Sequence, residues 1–105
     1  MRLRHIEVFH AVYTAGSITA AAKMLNVSQP SVSKVLAHAE QQLGFALFDR
    51  QKGKIIPTKE AEKLIHHVAD VYNNISELRR TSENLRASES GQIRLAMIPS
   101  IGVQL

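Results

Sequence analysis

Residues 17–44 read SITAAAKMLNVSQPSVSKVLAHAEQQLG, and this stretch decides the fold. It contains two apolar patterns with helical spacing, separated by NVS at residues 26–28. Ser17 is predicted to cap the first helix, because its hydroxyl can accept an N–H of the first turn. Ser28 is predicted to cap the second helix, and Pro30 lies in that helix's first turn, where its missing N–H costs little. Two helices joined by a three-residue turn are therefore expected, and Gly44 is expected to end the second helix.

The second of these helices has an apolar side and a polar, basic side. The side predicted to be buried comprises Val32, Val35, Leu36, Ala39 and Leu43. The other side carries small, hydrogen-bonding or basic residues, namely Gln29, Ser31, Ser33, Lys34, Ala37 and His38. A helix of this kind can enter the major groove of DNA, where its first turns meet the base edges. The alternative is an ordinary solvated helix face, but the compact two-helix arrangement favours DNA reading.

A further helix is predicted before this stretch and a hairpin after it. Apolar residues at helical spacing predict a helix over residues 3–14, which allows a small core of three helices. The apolar runs FALF (45–48) and IIP (55–57) predict two short strands. The polar residues between them predict a basic hairpin, the wing, in which Arg50, Lys52 and Lys54 reach the DNA backbone or the minor groove. An isolated charged hairpin is usually a solvated turn, but its position after the two helices favours contact with DNA.

The composition indicates one small domain with an extension, and the basic charge is uneven. The chain has 105 residues, 45% of them apolar, no cysteine, and a net charge of +4. Residues 1–59 contain eight Lys or Arg against three Asp or Glu, a net of +5, whereas residues 60–105 contain five against six. A basic excess in the half with the paired helices is typical of a protein that binds a polyanion. The absence of cysteine fits a reducing cytoplasm. No apolar run approaches the length of a membrane span, and the first residues do not form a signal peptide.

A long helix is predicted over residues 59–88, capped by Thr58. Its apolar residues alternate at three- and four-residue spacing, as in the a and d positions of a heptad, with a break at Ser82. A small domain cannot cover so long a stripe, so a second copy of the helix is the expected partner. Packing against the helix's own domain is the rival for Ala61 and Leu64, and parallel and antiparallel pairing both remain open. The predicted dimerisation residues are Ala61, Leu64, Val68, Val71, Ile75, Leu78 and Leu85.

The end of the sequence indicates the start of a second domain. Residues 87–92 are small and polar, which is typical of a hinge. The following IRLAMI (93–98) resembles a strand that is apolar on both faces, as in the parallel sheet of an α/β domain. Residues 89–105 are therefore predicted to be a hinge and the first strand of a truncated α/β effector-binding domain.

No enzyme site is predicted. The sequence has no phosphate-cradling glycine loop and no Ser, His and acid set that these elements would bring together. His66 and His67 project about 100° apart on a helix, so they are poor ligands for one metal ion. We expect no catalysis, no metal and no cofactor.

LRHIEVFHAVYTAGSITAAAKMLNVSQPSVSKVLAHAEQQLGFALFDR, followed by the wing and the long helix, resembles the N-terminal domain of LysR-type bacterial transcriptional regulators. The resemblance runs from Arg2 to about Leu85, and QIRLAMIPS resembles the first strand of the family's effector-binding domain. It implies a winged helix-turn-helix domain over residues 1–58 and a dimerisation helix over residues 59–88. It also implies a homodimer or homotetramer on double-stranded promoter DNA near the nucleoid, controlled by a small-molecule effector.

The resemblance also implies a role for individual residues. By position, Gln29, Pro30, Ser31, Ser33 and Lys34 lie at the major groove. Arg50 and Lys54 belong to the wing, and Arg4 and Thr19 lie near the backbone. Ser100 lies where the family often binds its effector. To this set the residue pattern alone adds Lys52 and His38. Lys34 stands where arginine is commoner in the family, and a lysine cannot grip guanine with a bidentate fork.

Overall fold

The computed structural model describes residues 1–90, and the side chains of residues 1–88. The elements in chain order are α1 (Leu3–Ala15), α2 (Ile18–Leu25), α3 (Gln29–Leu43), β1 (Phe48–Gln51), β2 (Lys54–Pro57) and α4 (Lys59–Ser90). This order confirms the predicted fold class, which is three helices, a two-stranded wing and a long helix. The predicted strand at residues 93–98 and Ser100 lie outside the described residues.

Capping residues, including the predicted Ser17 and Ser28, lie at the ends of the three short helices. Ser17 Oγ accepts the N–H of Ala20 at 3.0 Å, and Ser28 Oγ accepts the N–H of Ser31 at 3.3 Å. Gly16 ends α1 with a φ of +82°, a left-handed conformation that glycine adopts at little cost. These groups satisfy hydrogen-bonding atoms that a helix end would otherwise leave unpaired.

The apolar sides of α1, α2 and α3 meet in one core. Alanines on α2 leave room for close approach of the other helices, and Phe9 of α1 fills the centre. The ring of Phe9 lies edge-on to that of Phe48, with centroids 5.6 Å apart. The buried residues of the three helices are Val8, Phe9, Ala11, Val12, Ala21, Ala22, Val32, Leu36 and Ala39.

The wing begins later in the sequence than predicted. β1 and β2 pair antiparallel, with Phe48 opposite Pro57 and Gln51 opposite Lys54. Lys52 and Gly53 form the turn and both have positive φ, as a tight two-residue hairpin requires. The prediction of a strand over residues 45–48 is therefore wrong, apart from its last residue. Leu47 is fully buried in the core, and the short turn lets the polar residues 49–51 pair as a strand instead.

The first turns of α4 belong to the same core. Ala61, Ile65 and Val68 are buried in it. The predicted role of Ala61 and Val68 in a dimer interface is corrected, because the chain's own core covers both side chains and leaves no surface for a second copy. Two contacts join α1 to α4: Tyr13 donates a 2.7 Å hydrogen bond to Glu62, and the ring of His10 stacks on that of Tyr72 with centroids 4.0 Å apart.

The chain divides into two compact units, residues Met1–Tyr72 and Asn73–Leu105. Within the described part of the second unit, the side chains of residues 73–88 are exposed, apart from the half-buried Ile75. α4 continues to Ser90, two residues beyond the predicted end. Residues 87–90, which the sequence assigned to a polar break, are therefore helical.

Candidate nucleic-acid interface

The polar side of α3 presents the predicted recognition residues at the surface. Gln29, Pro30, Ser31, Lys34 and His38 are exposed and Ser33 is half-buried, whereas Val32 and Leu36 turn into the core. The hydroxyls of Ser28 and Ser31 lie 2.9 Å apart, so Ser31 is held by the cap at the start of the helix. Lys34 has no ion-pair partner among the described residues. The start of α3 thus offers hydroxyl, amide and ammonium groups to solvent.

A second set of predicted residues meets in a cleft between the wing and the start of α2, the wing cleft. Ser17 and Thr19 line one side of it, and Arg50 and Lys54 line the other. Lys52 lies in the turn at the end of the wing and is exposed. Thr19, Arg50 and Lys54 are distant in sequence, and the fold brings them to one cleft. Cations beside a helix N-terminus suit an anion such as a phosphate.

A third set lies where α1 begins, in a groove between α1 and α3, the histidine groove. Arg2, Arg4, His5, Lys34 and His38 line it, together with Val35. Arg4 Nη1 forms a 3.2 Å ion pair with Glu7 Oε1. The structure therefore brings the predicted residues Arg4, Lys34 and His38 to one surface.

His5 lies in this groove and was not predicted as a site residue. It is 3% exposed. Its Nδ1 accepts the backbone N–H of Arg2 at 3.0 Å, and its Nε2 lies 3.0 Å from Nδ1 of His38. Burial lowers the pKa of His5, and the nearby His38, N-terminal amine and Arg2 lower it further. The position of His5 at the third residue of α1, where a side chain often caps the helix, was the available sequence signal.

Glu40 was also missed, although it connects α3 to the wing. Its Oε2 accepts the N–H of Leu47 at 2.7 Å and that of Phe48 at 3.3 Å. Thr58 makes the next connection. Its hydroxyl donates to the carbonyl oxygen of Ala46 at 2.8 Å and accepts the N–H of Ala61 at 3.1 Å. These two residues position the wing between α3 and α4.

The remaining residues that the sequence predicts to pair with a second copy lie on α4. Leu64 packs against the core and is half-buried. Val71 is 42% exposed in the first unit, and Leu78 and Leu85 are 65% and 61% exposed in the second. Among residues 1–90, no three His, Cys, Asp or Glu residues are grouped to hold a metal ion, and no helix is long and apolar enough to cross a membrane.

Three helices with a capped turn, followed by a paired wing, define a winged helix-turn-helix protein. The profile of the family described as "Bacterial regulatory helix-turn-helix protein, lysR family" matches residues 3–62. The chain belongs to this LysR family, which confirms the resemblance found in the sequence.

Curated relatives agree with this family. The chain is 59% identical over 102 residues to the HTH-type transcriptional regulator DgcR of Pseudoalteromonas sp, covering 97% of this chain and 35% of that protein. It is 40% identical over 99 residues to the transcriptional activator protein LysR of Escherichia coli K12, covering 94% and 32%. The chain thus spans about a third of the length of these relatives, which are named as regulators of transcription.

Solved structures share the fold. The BenM DNA-binding domain, crystallised in complex with catB site 1 DNA, superimposes with a TM-score of 0.72 at 27% identity, covering 82% of this chain and 97% of that one. The oxidised form of Corynebacterium glutamicum OxyR superimposes with a TM-score of 0.73 at 27% identity, covering 77% and 26%.

Proposed function

We propose that this chain is the DNA-binding part of a bacterial transcriptional regulator, with α3 in the major groove and the wing on the flanking backbone. The observation that carries the proposal is the surface of the first unit. The polar side of α3, the wing cleft and the histidine groove all present cations, and neither Lys34 nor Arg50 has an ion-pair partner among residues 1–90. The proposed activity is binding rather than catalysis, as the names of the relatives also indicate.

The similarity to BenM supports this orientation. That protein's DNA-binding domain was crystallised on DNA, and nearly all of it superimposes on this chain. The charge distribution adds a physical reason, because the +5 of residues 1–59 favours a polyanion and releases counterions when it binds. The first turns of α3 then supply the contacts that distinguish one sequence from another.

The proposal includes self-association through α4. Val71, Leu78 and Leu85 are exposed apolar residues at heptad spacing. A second copy of the chain would bury them in a paired helix. Two copies then present two α3 helices, which fits a partly palindromic promoter site. The dimerisation roles of Leu64 and Ile75, and the choice between dimer and tetramer, belong to the same proposal.

Regulation by a small-molecule effector is part of the proposal for the whole protein. The family resemblance places the effector in a further domain. The hinge and first strand predicted for residues 89–105 belong to this proposal, apart from residues 89 and 90, which continue α4. Ser100 remains a predicted effector contact. A regulator of this kind acts on chromosomal DNA, so we also propose a cytoplasmic location at the nucleoid.

The experiment compares two changes that separate base reading from backbone contact. A duplex is first selected from a random pool with the wild-type chain, and its sequence is scrambled to give a second duplex. Changing Ser33 and Lys34 together to Ala should weaken binding to the selected duplex about tenfold more than binding to the scrambled one, because base contacts are lost. Arg50→Gln should weaken binding to both duplexes equally. It should also make the fall of log affinity with log salt concentration, the salt slope, shallower by about 1.

Fluorescence anisotropy at several salt concentrations measures both effects. Lys63→Gln, which removes one exposed charge from α4, is the matched control and should leave both affinities unchanged. Equal losses on the two duplexes for the α3 variant would contradict base reading by α3. If the wild-type chain binds no duplex, the helix-turn-helix is a structural part of a dimerisation module and the proposal is wrong.

A further inference from the structure

Two histidines connect the start of α1 to the exposed side of α3. The backbone N–H of Arg2 donates to Nδ1 of His5 at 3.0 Å. Nε2 of His5 lies 3.0 Å from Nδ1 of His38, and the two rings meet edge-on with centroids 5.0 Å apart. His5 is buried, whereas His38 is exposed on the polar side of α3. A buried side chain thus contacts a residue of the candidate DNA surface.

The backbone donor determines where the ring protons are. A backbone N–H can only donate, so Nδ1 of His5 must accept and carries no proton. His5 therefore holds its proton on Nε2 and donates it to Nδ1 of His38. Because Nδ1 of His38 accepts, the proton of that neutral ring lies on Nε2. This Nε2–H has no hydrogen-bond partner among residues 1–90.

We propose that His5 is a positioning residue for DNA binding, which holds the His38 ring so that its Nε2–H donates to a phosphate oxygen of the DNA backbone. The proposal rests on the function proposed above and adds a residue to it. His38 is the tenth residue of α3, beyond the first turns that meet base edges. Arg2, Arg4 and Lys34 share the histidine groove with it, and these cations favour a phosphate there.

The neutral state of His5 agrees with this role. Burial lowers its pKa, and His38, the N-terminal amine and Arg2 act in the same direction. A proton on Nδ1 of His5 would remove the acceptor for the Arg2 N–H. A neutral Nε2–H of His38 neutralises no phosphate, so it adds affinity without adding to the salt slope. This separates His38 from Arg50, whose replacement is expected to lower the salt slope.

The arrangement of the protons is tested first, without DNA. Two-bond ¹H–¹⁵N spectra of the 105-residue chain at pH 7.5 should show both rings protonated on Nε2, with the Nε2–H of His5 protected from exchange. His5→Phe fills the same space and should move the Nδ1 resonance of His38 to that of a nitrogen with no donor. His10→Phe, the matched change on α1, should leave His38 unchanged. A proton on Nδ1 of either ring, or an unchanged Nδ1 resonance in His5→Phe, would overturn the proposal.

The second measurement uses the selected and scrambled duplexes. His5→Phe and His38→Phe should each weaken binding about fivefold on both duplexes, with no change in salt slope, as expected for one neutral hydrogen bond. The double variant should bind no more weakly than His38→Phe, because His5 acts through His38. His10→Phe should bind as the wild type does.

The outcomes separate this proposal from the one on which it rests. If the wild-type chain binds DNA and the His5→Phe variant binds as tightly as the His10→Phe variant, the role of His5 is overturned. The proposed function then still stands. Independent losses that multiply in the double variant would also overturn it. A wild-type chain that binds no duplex would overturn the proposed function and the role of His5 in it, whereas the spectra would still report the proton positions.

Discussion

Replacing Glu40 by Ala should destabilise the protein at the junction of α3 and the wing. The carboxylate accepts two backbone N–H groups, at 2.7 Å from Leu47 and 3.3 Å from Phe48. Leu47 is fully buried, so water cannot replace the lost acceptor there without opening the core. Loss of a charged acceptor for a buried N–H lowers the free energy of unfolding by about 1.5–3 kcal/mol. Loss of the longer bond to Phe48 adds less.

The total expected loss is about 2–3 kcal/mol, a large part of the 5–15 kcal/mol that typically separates folded from unfolded protein. For a domain of this size, it corresponds to a fall in Tm of roughly 10–20 °C. Urea unfolding followed by circular dichroism measures the free energy. Hydrogen exchange should show faster exchange of the Leu47 and Phe48 amides, because both lose their acceptor.

Two matched variants test the reasoning. Gln41→Ala makes a similar truncation at the next position of α3, where the side chain is exposed, and should change the stability by less than about 0.5 kcal/mol. Glu40→Gln keeps an acceptor oxygen without the charge, so it should lose less than Glu40→Ala. If Glu40→Ala and Gln41→Ala unfold at the same urea concentration with equal slopes, the carboxylate does not hold the wing and the estimate is refuted.

Two further predictions concern pH and association. Burial lowers the pKa of His10 below its usual 6.5. Below about pH 6.5 the unfolded chain therefore binds more protons than the folded chain, and the free energy of unfolding should decrease as the pH is lowered. His10→Phe keeps a ring against Tyr72 and should flatten this fall in urea unfolding between pH 7.5 and 5.5; an unchanged slope would contradict it. Val71→Asp combined with Leu78→Asp should convert the proposed dimer to monomer in sedimentation velocity, whereas Lys63→Gln should not; an unaltered sedimentation coefficient would contradict pairing through α4.

The helices were predictable because their signals are local. Ser17 and Ser28 stand directly before apolar patterns of helical period, and each caps the helix that follows it. The start of β1 was not predictable in the same way. Apolar residues 45–47 look like the beginning of a strand, but Leu47 enters the core and its amide binds Glu40, seven residues away in sequence. Only the packed structure decides between these alternatives.

The candidate site was predictable as a set of residues but not as an arrangement. The polar side of α3 follows from its buried side, so Lys34 and His38 could be singled out. His5 and His38 are 33 residues apart, and no local sequence pattern predicts their contact. The stripe of α4 posed a different problem, because burial in a domain and burial against a second copy give the same apolar spacing. Ala61 and Val68 belong to the first kind.

The burial of Ala61, Ile65 and Val68 has a mechanical consequence. These side chains fix the first turns of α4 to the core that also receives Val32 and Leu36 of α3. The domain therefore cannot rotate relative to residues 59–68 without exposing its own core. Because this junction is rigid, a rotation of that segment would rotate the polar side of α3 through the same angle.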